Sequence, residues 1–576
     1  MPPFAAAFWL LGLFAAAPAL RSSGPYGFVD RLRDALFLGM AIPLVLGLVH
    51  VLYAGACWAL LAICLGIAYV RRFDARSERG PTSPPYLMIG ALIAVAWPQL
   101  MRPLLDGDSL SYHLPNAASW VQAHSVWSVA TRYWWYPPAS ELFTSALYAV
   151  AGPFPLPWSG FAALALLGFR VVAWARRAYA APPFLADALG AATITAYPLA
   201  IQGGTLQNDV WLAAFWLESL WLLRAANSAA IRTVAVTALM KPQGWILASI
   251  ALICGKARGL VWLTTAGAVG LWLIRDAILW PQALVEPART VMGNVAGSSI
   301  LAHGVAALIL LARVMLAASP FALLALLAAL FAPSIARREG GLAWAACAAA
   351  LLFFVLPFGY STSVAQLATG ASLRFAAPAI AIGAVILAGP ACRIVPIAAA
   401  LLVASTLFGA WYVLQIFWND GGTHSAILFA LLAAAIATAA HRSRVAWPNA
   451  VAFGFAVIAA THLASRHALD YYNDSLRVGG RSPGVYRWIE TAHPAAIGGW
   501  GLRLGVVNVL SPQTRTLDLP DDAACAQARR ENVLLVAVAE GDHSAAADAA
   551  RLRSALGCGR VLYHDAIAVV TQPSSR

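Results

Sequence analysis

Apolar runs of about 17 to 25 residues recur along most of the chain, separated by short polar breaks, and each is long enough to cross a hydrocarbon core of about 30 Å as a helix. The pattern predicts spans near 4–20, 35–52, 54–70, 86–104, 156–175, 184–202, 209–224, 260–274, 303–335, 342–358, 374–390, 394–417, 424–440 and 447–464. The ten-residue alternation of an outer-membrane barrel is missing from these runs. Near residue 466 the texture changes. RVGGRSPGVYRWIETA reads as a helix, AAIGGW, ENVLLVAVAE and AIAVV as short strands, and DAARLRSALG as a helix between the last two strands. The expected architecture is mainly α: a polytopic membrane bundle of about 13 to 15 spans, ending in a small α/β domain.

Composition agrees with this pattern. Of 576 residues, 61% are hydrophobic and 11% charged, whereas a soluble protein carries about a quarter charged residues. Residues 467–576 hold 11 Lys+Arg against 11 Asp+Glu, so the whole net charge of +13 belongs to residues 1–466. There it sits in short loops, as the positive-inside rule requires, and forms no nucleic-acid footprint.

Loop charge then orients the chain. The breaks at Arg71, Arg72, Arg76 and Arg79, at Arg176 and Arg177, at Arg224 and Arg232, at Lys256 and Arg258, at Arg337 and Arg338, and at Arg442 and Arg444 are expected on the cytoplasmic side. An even number of crossings must separate any two of them. This holds if residues 139–152 form an interfacial helix and if 231–254 is a hairpin broken at Lys241-Pro242, where proline removes a helix donor. The N-terminus, the loops beginning at Met101, Gly203, Asp276, Gly359 and Asn419, and the tail then face outward. The first apolar run lacks the basic segment of a signal peptide. Of the seven cysteines, Cys57, Cys64, Cys254, Cys347 and Cys392 lie in or beside apolar runs. Cys525 and Cys558 lie in the tail, where an oxidising exterior would permit a disulfide and a cytoplasmic setting would leave free thiols. The glycine-rich GGWGLRLG does not match a dinucleotide fingerprint.

The first outer loop reads RPLLDGDSLSYHLPNAASWVQAHSVWSVATRYWWYPPASEL. Asp106, Asp108 and His113 are close together in it, with Arg102, Arg132, Tyr112, Tyr133, Tyr136 and four tryptophans. Solvated boundary residues would account for a lone acid; this concentration of charge and aromatic surface points to a site. In QNDVWLAAFWLESLW, Asp209 could cap a helix N-terminus or belong to that site. Glu218 falls within a span, where a charge must be paired or neutralised.

The ordered set DSLSYHLPNAASW, YPPASEL, RR ending the next span, QNDVW, ALMKPQGW, LIRD and SLRFAAPAI resembles the bacterial GT-C glycosyltransferases. These include protein mannosyltransferase-like and lipid A aminoarabinose transferase-like enzymes. The resemblance covers roughly residues 86–390. It implies a GT-C membrane fold, with extra N-terminal helices (1–85), a transmembrane catalytic region (86–465, outer loop 102–155) and an extracytoplasmic α/β domain (466–576).

The resemblance also implies an inner-membrane enzyme, inverting in stereochemistry, that moves a sugar from a polyprenyl-phosphate donor to a lipid, glycan or protein acceptor. Asp108 matches the position of a general base, with Asp106 in reserve. His113, Asp209 and Glu141 are candidates for acceptor contact or a second acid. Arg374, Arg275 and Lys241 would bind the donor phosphate, or else snorkel to the interface. A divalent metal is possible, and no nucleic-acid partner is expected. The competing readings are a transporter or flippase of a lipid-linked saccharide and a non-catalytic assembly subunit. A transporter would line a path at the midplane rather than collect its acids at one face.

Overall fold

The computed structural model describes residues 2–21, 27–72, 85–100, 104, 106–129, 131, 133, 135–279, 304–336, 339–355, 371–418, 483–519, 523–539 and 545–574. The spans expected at 424–440 and 447–464, and Arg102 and Arg132, lie outside these residues. Among the described residues six helices are long and apolar enough to cross a membrane, and further apolar helices are shorter. The chain is a multi-pass membrane protein.

Helices α1 (Pro2–Ala16), α2 (Phe28–Leu48) and α3 (Ala54–Arg72) pack on one another. The central layer is α7 (Trp158–Ala178), α8 (Pro183–Thr195) and α10 (Asp209–Arg224), with the short α9 (Tyr197–Ala200) between the last two. On α8 lies α4 (Tyr86–Leu100), whose first free amides are capped from across the bundle: the Asp187 carboxylate accepts from Leu87 N at 2.9 Å and Met88 N at 2.8 Å. At the other end Gln99 ties α4 to Ala200 O and Gly204 N.

Residues 230–254 form the expected hairpin, α11 (Ala230–Ala238) and α12 (Pro242–Cys254), packed on α10. Next come α13 (Gly259–Leu279), α14 (Gly304–Ala318), α15 (Pro320–Leu330), α16 (Gly341–Val355), α17 (Ala377–Ala391) and α18 (Val395–Trp418). α17 packs against α10, α15 and α16, and α18 against α8.

Three expectations need correction. The run 303–335 is broken at Ser319, whose φ of −164° and ψ of 83° leave the helical region, because Pro320 cannot donate and crowds the residue before it. The helix near 139–152 exists as α6 (Ala139–Ala151), but α1, α2, α3 and α5 (Leu114–Gln122) enclose it and nearly every residue is buried by protein. It does not lie along a lipid surface. Finally, α2 starts at Phe28, a full two turns before the apolar run, because its charges are paired. Arg33 reaches Asp30 at 3.0 Å, Asp34 at 2.9 Å and Glu218 at 3.7 Å. Arg170 bonds Glu218 at 2.5 and 2.8 Å and lies 3.5 Å from Asp30, while Arg232 reaches Asp34 at 2.9 Å. Three arginines and three acids from α2, α7, α10 and α11 thus form a neutral network inside the bundle.

The tail holds a five-stranded sheet in the order β2-β1-β3-β5-β4. Strand β1 (Ala496–Trp500) is parallel to β2 (Arg515–Asp518) and β3 (Leu534–Val538). Strand β5 (Ala568–Pro573) is antiparallel to β3 and to β4 (Gly559–His564). Its helices are α19 (Pro483–Ala492), α20 (Leu504–Leu510), α21 (Ala524–Arg530) and α22 (Ala545–Leu556). β2 and β4 were not legible in the sequence, one being short and the other lacking a buried alternation. A disulfide joins Cys525 of α21 to Cys558 at the start of β4.

Candidate functional site

Four charged side chains from four separate elements meet at one end of the bundle. Asp108 opens a π-helical turn, Ser109–His113, that runs into α5. Its carboxylate is paired with Arg374, which sits in the 3-10 turn Ala371–Ala376 leading into α17. Nε of Arg374 is 3.6 Å from Asp209 Oδ2, and the other oxygen of Asp209 is 2.6 Å from Lys241 Nζ. Phe375 lies beneath both cations, its ring centroid 4.4 Å from Lys241 Nζ and 5.1 Å from Arg374 Cζ, a cation–π arrangement. The result is an alternating array, Asp108–Arg374–Asp209–Lys241.

Local geometry explains each position. Lys241 is extended, at φ −168° and ψ 158°, because Pro242 opens α12 and forces the preceding residue out of the helix. The hairpin tip is then held by its carbonyls: Asn208 Nδ2 donates to Met240 O and Ala139 N to Leu239 O, each at 2.9 Å. Asp209 begins α10, yet its carboxylate goes to Lys241, and the Val210 amide of that first turn donates instead to Gln202 Oε1 at 3.0 Å.

Asp106 has a different task. Its Oδ1 accepts from Ser109 N at 2.8 Å and Gln207 Nε2 at 3.3 Å, while Ser109 Oγ accepts from Leu206 N at 2.8 Å. These bonds lace the Asp108 turn to the loop preceding Asp209. Burial pushes the Asp106 carboxyl up despite the bonds from Ser109. For Asp108 burial acts the same way, but Arg374, His113 and Lys241 outweigh it and hold the carboxyl below the usual range.

Beside this array, His113 Nδ1 lies 2.6 Å from Glu141 Oε1, and Ser140 Oγ donates to Glu141 Oε2 at 2.9 Å. Tyr112 packs beside this pair: its ring is 4.1 Å from His113, 4.8 Å from Tyr133 and 5.6 Å from Tyr136. Arg275 is not drawn into the array. It bonds Val126 O at 2.6 and 3.0 Å and Asp276 at 2.7 Å, and lies over Trp272, so it anchors the segment around Val126. Sequence reasoning missed Gln207 and Phe375. It also missed Asp30, Arg33 and Asp34, whose three- and four-residue spacing on one helix face was the available signal. Among the described residues no three His, Cys, Asp or Glu side chains converge as a metal site requires.

No family model matches the chain, and no curated protein does. Solved structures do. The crystal structure of ArnT from Cupriavidus metallidurans bound to undecaprenyl phosphate is similar over 84% of this chain and 97% of that one, with 14% identity and a TM-score of 0.50. ArnT from the same organism in the apo state matches over the same shares at 13% identity and a TM-score of 0.44. The chain therefore shares the fold of that ArnT structure, a multi-pass helical bundle ending in a small α/β domain.

Proposed function

We propose that this protein is a membrane glycosyltransferase that moves a sugar from a polyprenyl-phosphate carrier to an acceptor at the extracytoplasmic face of the inner membrane. The observation that carries the reading is the array Asp108–Arg374–Asp209–Lys241, gathered at one end of the bundle from four elements distant in sequence. Such an array suits an anionic leaving group, because Arg374 and Lys241 supply two cations held over one ring. ArnT, whose fold this is, has been crystallised with undecaprenyl phosphate, which favours a donor of that class.

In this reading the donor phosphate displaces the carboxylates from Arg374 and Lys241. Asp108, freed from Arg374 and still ionised, takes the proton of the acceptor nucleophile as it attacks the anomeric carbon from the face opposite the phosphate. The C–O bond to phosphate breaks, the phosphate keeps the electron pair, and configuration inverts. Before the donor arrives, Asp209 holds the two cations in register. The His113–Glu141 pair and the tyrosines beside it are assigned to the acceptor. Residues 86–465 form the catalytic region, with 1–85 as accessory helices. The tail, 466–576, belongs on the exterior with the site it touches.

The test is transfer of labelled sugar from synthetic polyprenyl-phosphate donors by purified protein. Transfer that depends on Asp108 and Arg374 supports the proposal; movement of the intact donor between leaflets without transfer would replace it with the flippase reading.

A further inference from the structure

The charged array has a neighbour that the chemistry above does not use. Helix α20 of the C-terminal domain lies against the turn 109–113 and against α5. Gly505 marks the closest approach: a Cβ placed there would fall 2.6 Å from both Cα and O of Leu110, closer than real side-chain carbons come. Leu110 is two residues from Asp108 and three from His113, within the same turn. The chain leaving α20 is tied down by two bundle side chains. Tyr148 Oη donates to Asn508 O at 3.3 Å and Pro512 O at 3.1 Å, and Gln122 Nε2 donates to Pro512 O at 2.8 Å and Thr514 O at 3.0 Å. A π-helical turn is a wide and uncommon arrangement that depends on its surroundings. Here backbone is pressed against backbone, with no side chain between to yield.

We propose that the C-terminal domain positions the catalytic turn and that Gly505 is its positioning residue: lacking a side chain, it lets α20 press on Leu110 and keeps Asp108 within reach of Arg374. A side chain at 505 must move either α20 or the turn. Tyr148 and Gln122 fix α20, so the turn moves and Asp108 parts from Arg374. The consequence for turnover rests on the glycosyltransferase reading; the mechanical coupling does not.

The experiment uses the full-length protein in lipid nanodiscs and compares wild type with Gly505→Leu, Gly505→Ala and Tyr148→Phe. Amide hydrogen exchange over 106–122 should quicken on the order of tenfold in Gly505→Leu and less in the other two, with α7, α8, β1 and β3 unchanged. Transfer should fall on the order of tenfold or more through kcat, since small misplacements of a catalytic group are costly. The acid limb of the rate profile should move to higher pH, which a smaller folded fraction would not produce. If Gly505→Leu opens β1 and β3, Gly505→Ala is read in its place. Unchanged exchange over 106–122 in the folded variants overturns the positioning role, even where transfer falls. Faster exchange in a protein whose wild type transfers no sugar supports the coupling and removes the glycosyltransferase reading instead.

Discussion

Lys241 Nζ lies 2.6 Å from Asp209 Oδ1, although Lys241 is at the tip of a helical hairpin whose base adjoins the far end of the helix that Asp209 begins. Three consecutive helices, α10, α11 and α12, run back and forth so that a lysine returns to the level of the acid. The array they complete is neutral, two acids and two bases, so an arriving phosphate must replace a carboxylate at each cation it takes.

Replacing Asp209 by asparagine removes one competitor for both cations while leaving their register unfixed. Asp209→Asn should therefore bind undecaprenyl phosphate severalfold more tightly, yet transfer sugar on the order of a hundredfold more slowly. Equilibrium binding of labelled undecaprenyl phosphate, set beside turnover, checks both halves. Weaker binding with slower turnover would mean that Asp209 itself contacts the donor.

The two loop acids should separate cleanly. Asp108→Asn leaves shape but no base, and turnover should drop about a thousandfold. Asp106→Asn still offers Ser109 N an acceptor, so it should retain most activity. Because Arg374 helps to hold the Asp108 carboxyl low, a rate that needs the carboxylate persists into acid and fails as pH falls through that depressed value. Arg374→Ala removes this support and should move the acid limb of kcat/KM to higher pH, beyond its direct effect on donor binding.

The network of Asp30, Arg33, Asp34, Arg170, Glu218 and Arg232 predicts a non-additive stability pattern. Glu218→Gln leaves buried arginines short of a partner and should cost about 3–5 kcal/mol. The double change Glu218→Met with Arg170→Met should cost less than the single change Glu218→Met. Thermal unfolding in one detergent measures both. Additive losses would show that the two side chains stand alone.

Removing the disulfide should affect the tail selectively. The cystine spans a sequence separation of 33, for which loop entropy gives about 3–4 kcal/mol. Cys525→Ser with Cys558→Ser should therefore lower protection of β1, β3 and β5 in hydrogen exchange and leave α7 and α8 unaffected. Equal loss in the bundle would tie the two parts into a single cooperative unit.

Much of this arrangement was legible in the chain because membranes restrict backbone so severely. Long apolar runs must be helices, and Lys-Pro between two short runs must be a break. Asp108, Asp209, Lys241 and Arg374 stood out because each flanks such a run. Arg275 stood out for the same reason, yet it binds Val126 O: position along the sequence locates a boundary without saying which way a side chain turns. Asp30, Arg33 and Asp34 precede the apolar run that predicts a span at 35–52, and only partners from α7, α10 and α11 make them helical interior. The same limit applies to α6, since its amphipathic look carries no record of the helices that close over it.

Helix α10 has 16 residues, about 24 Å at 1.5 Å per residue, against a hydrocarbon core of about 30 Å. With Arg224 at one water boundary, Asp209 and its companions fall short of the other by several ångströms. The charged array is therefore sunk beneath the headgroups, or the bilayer dimples to meet it. Either way the lipid is part of the geometry: a thicker membrane would draw the carrier's phosphate away from Arg374, and turnover would depend on acyl-chain length as well as on substrate.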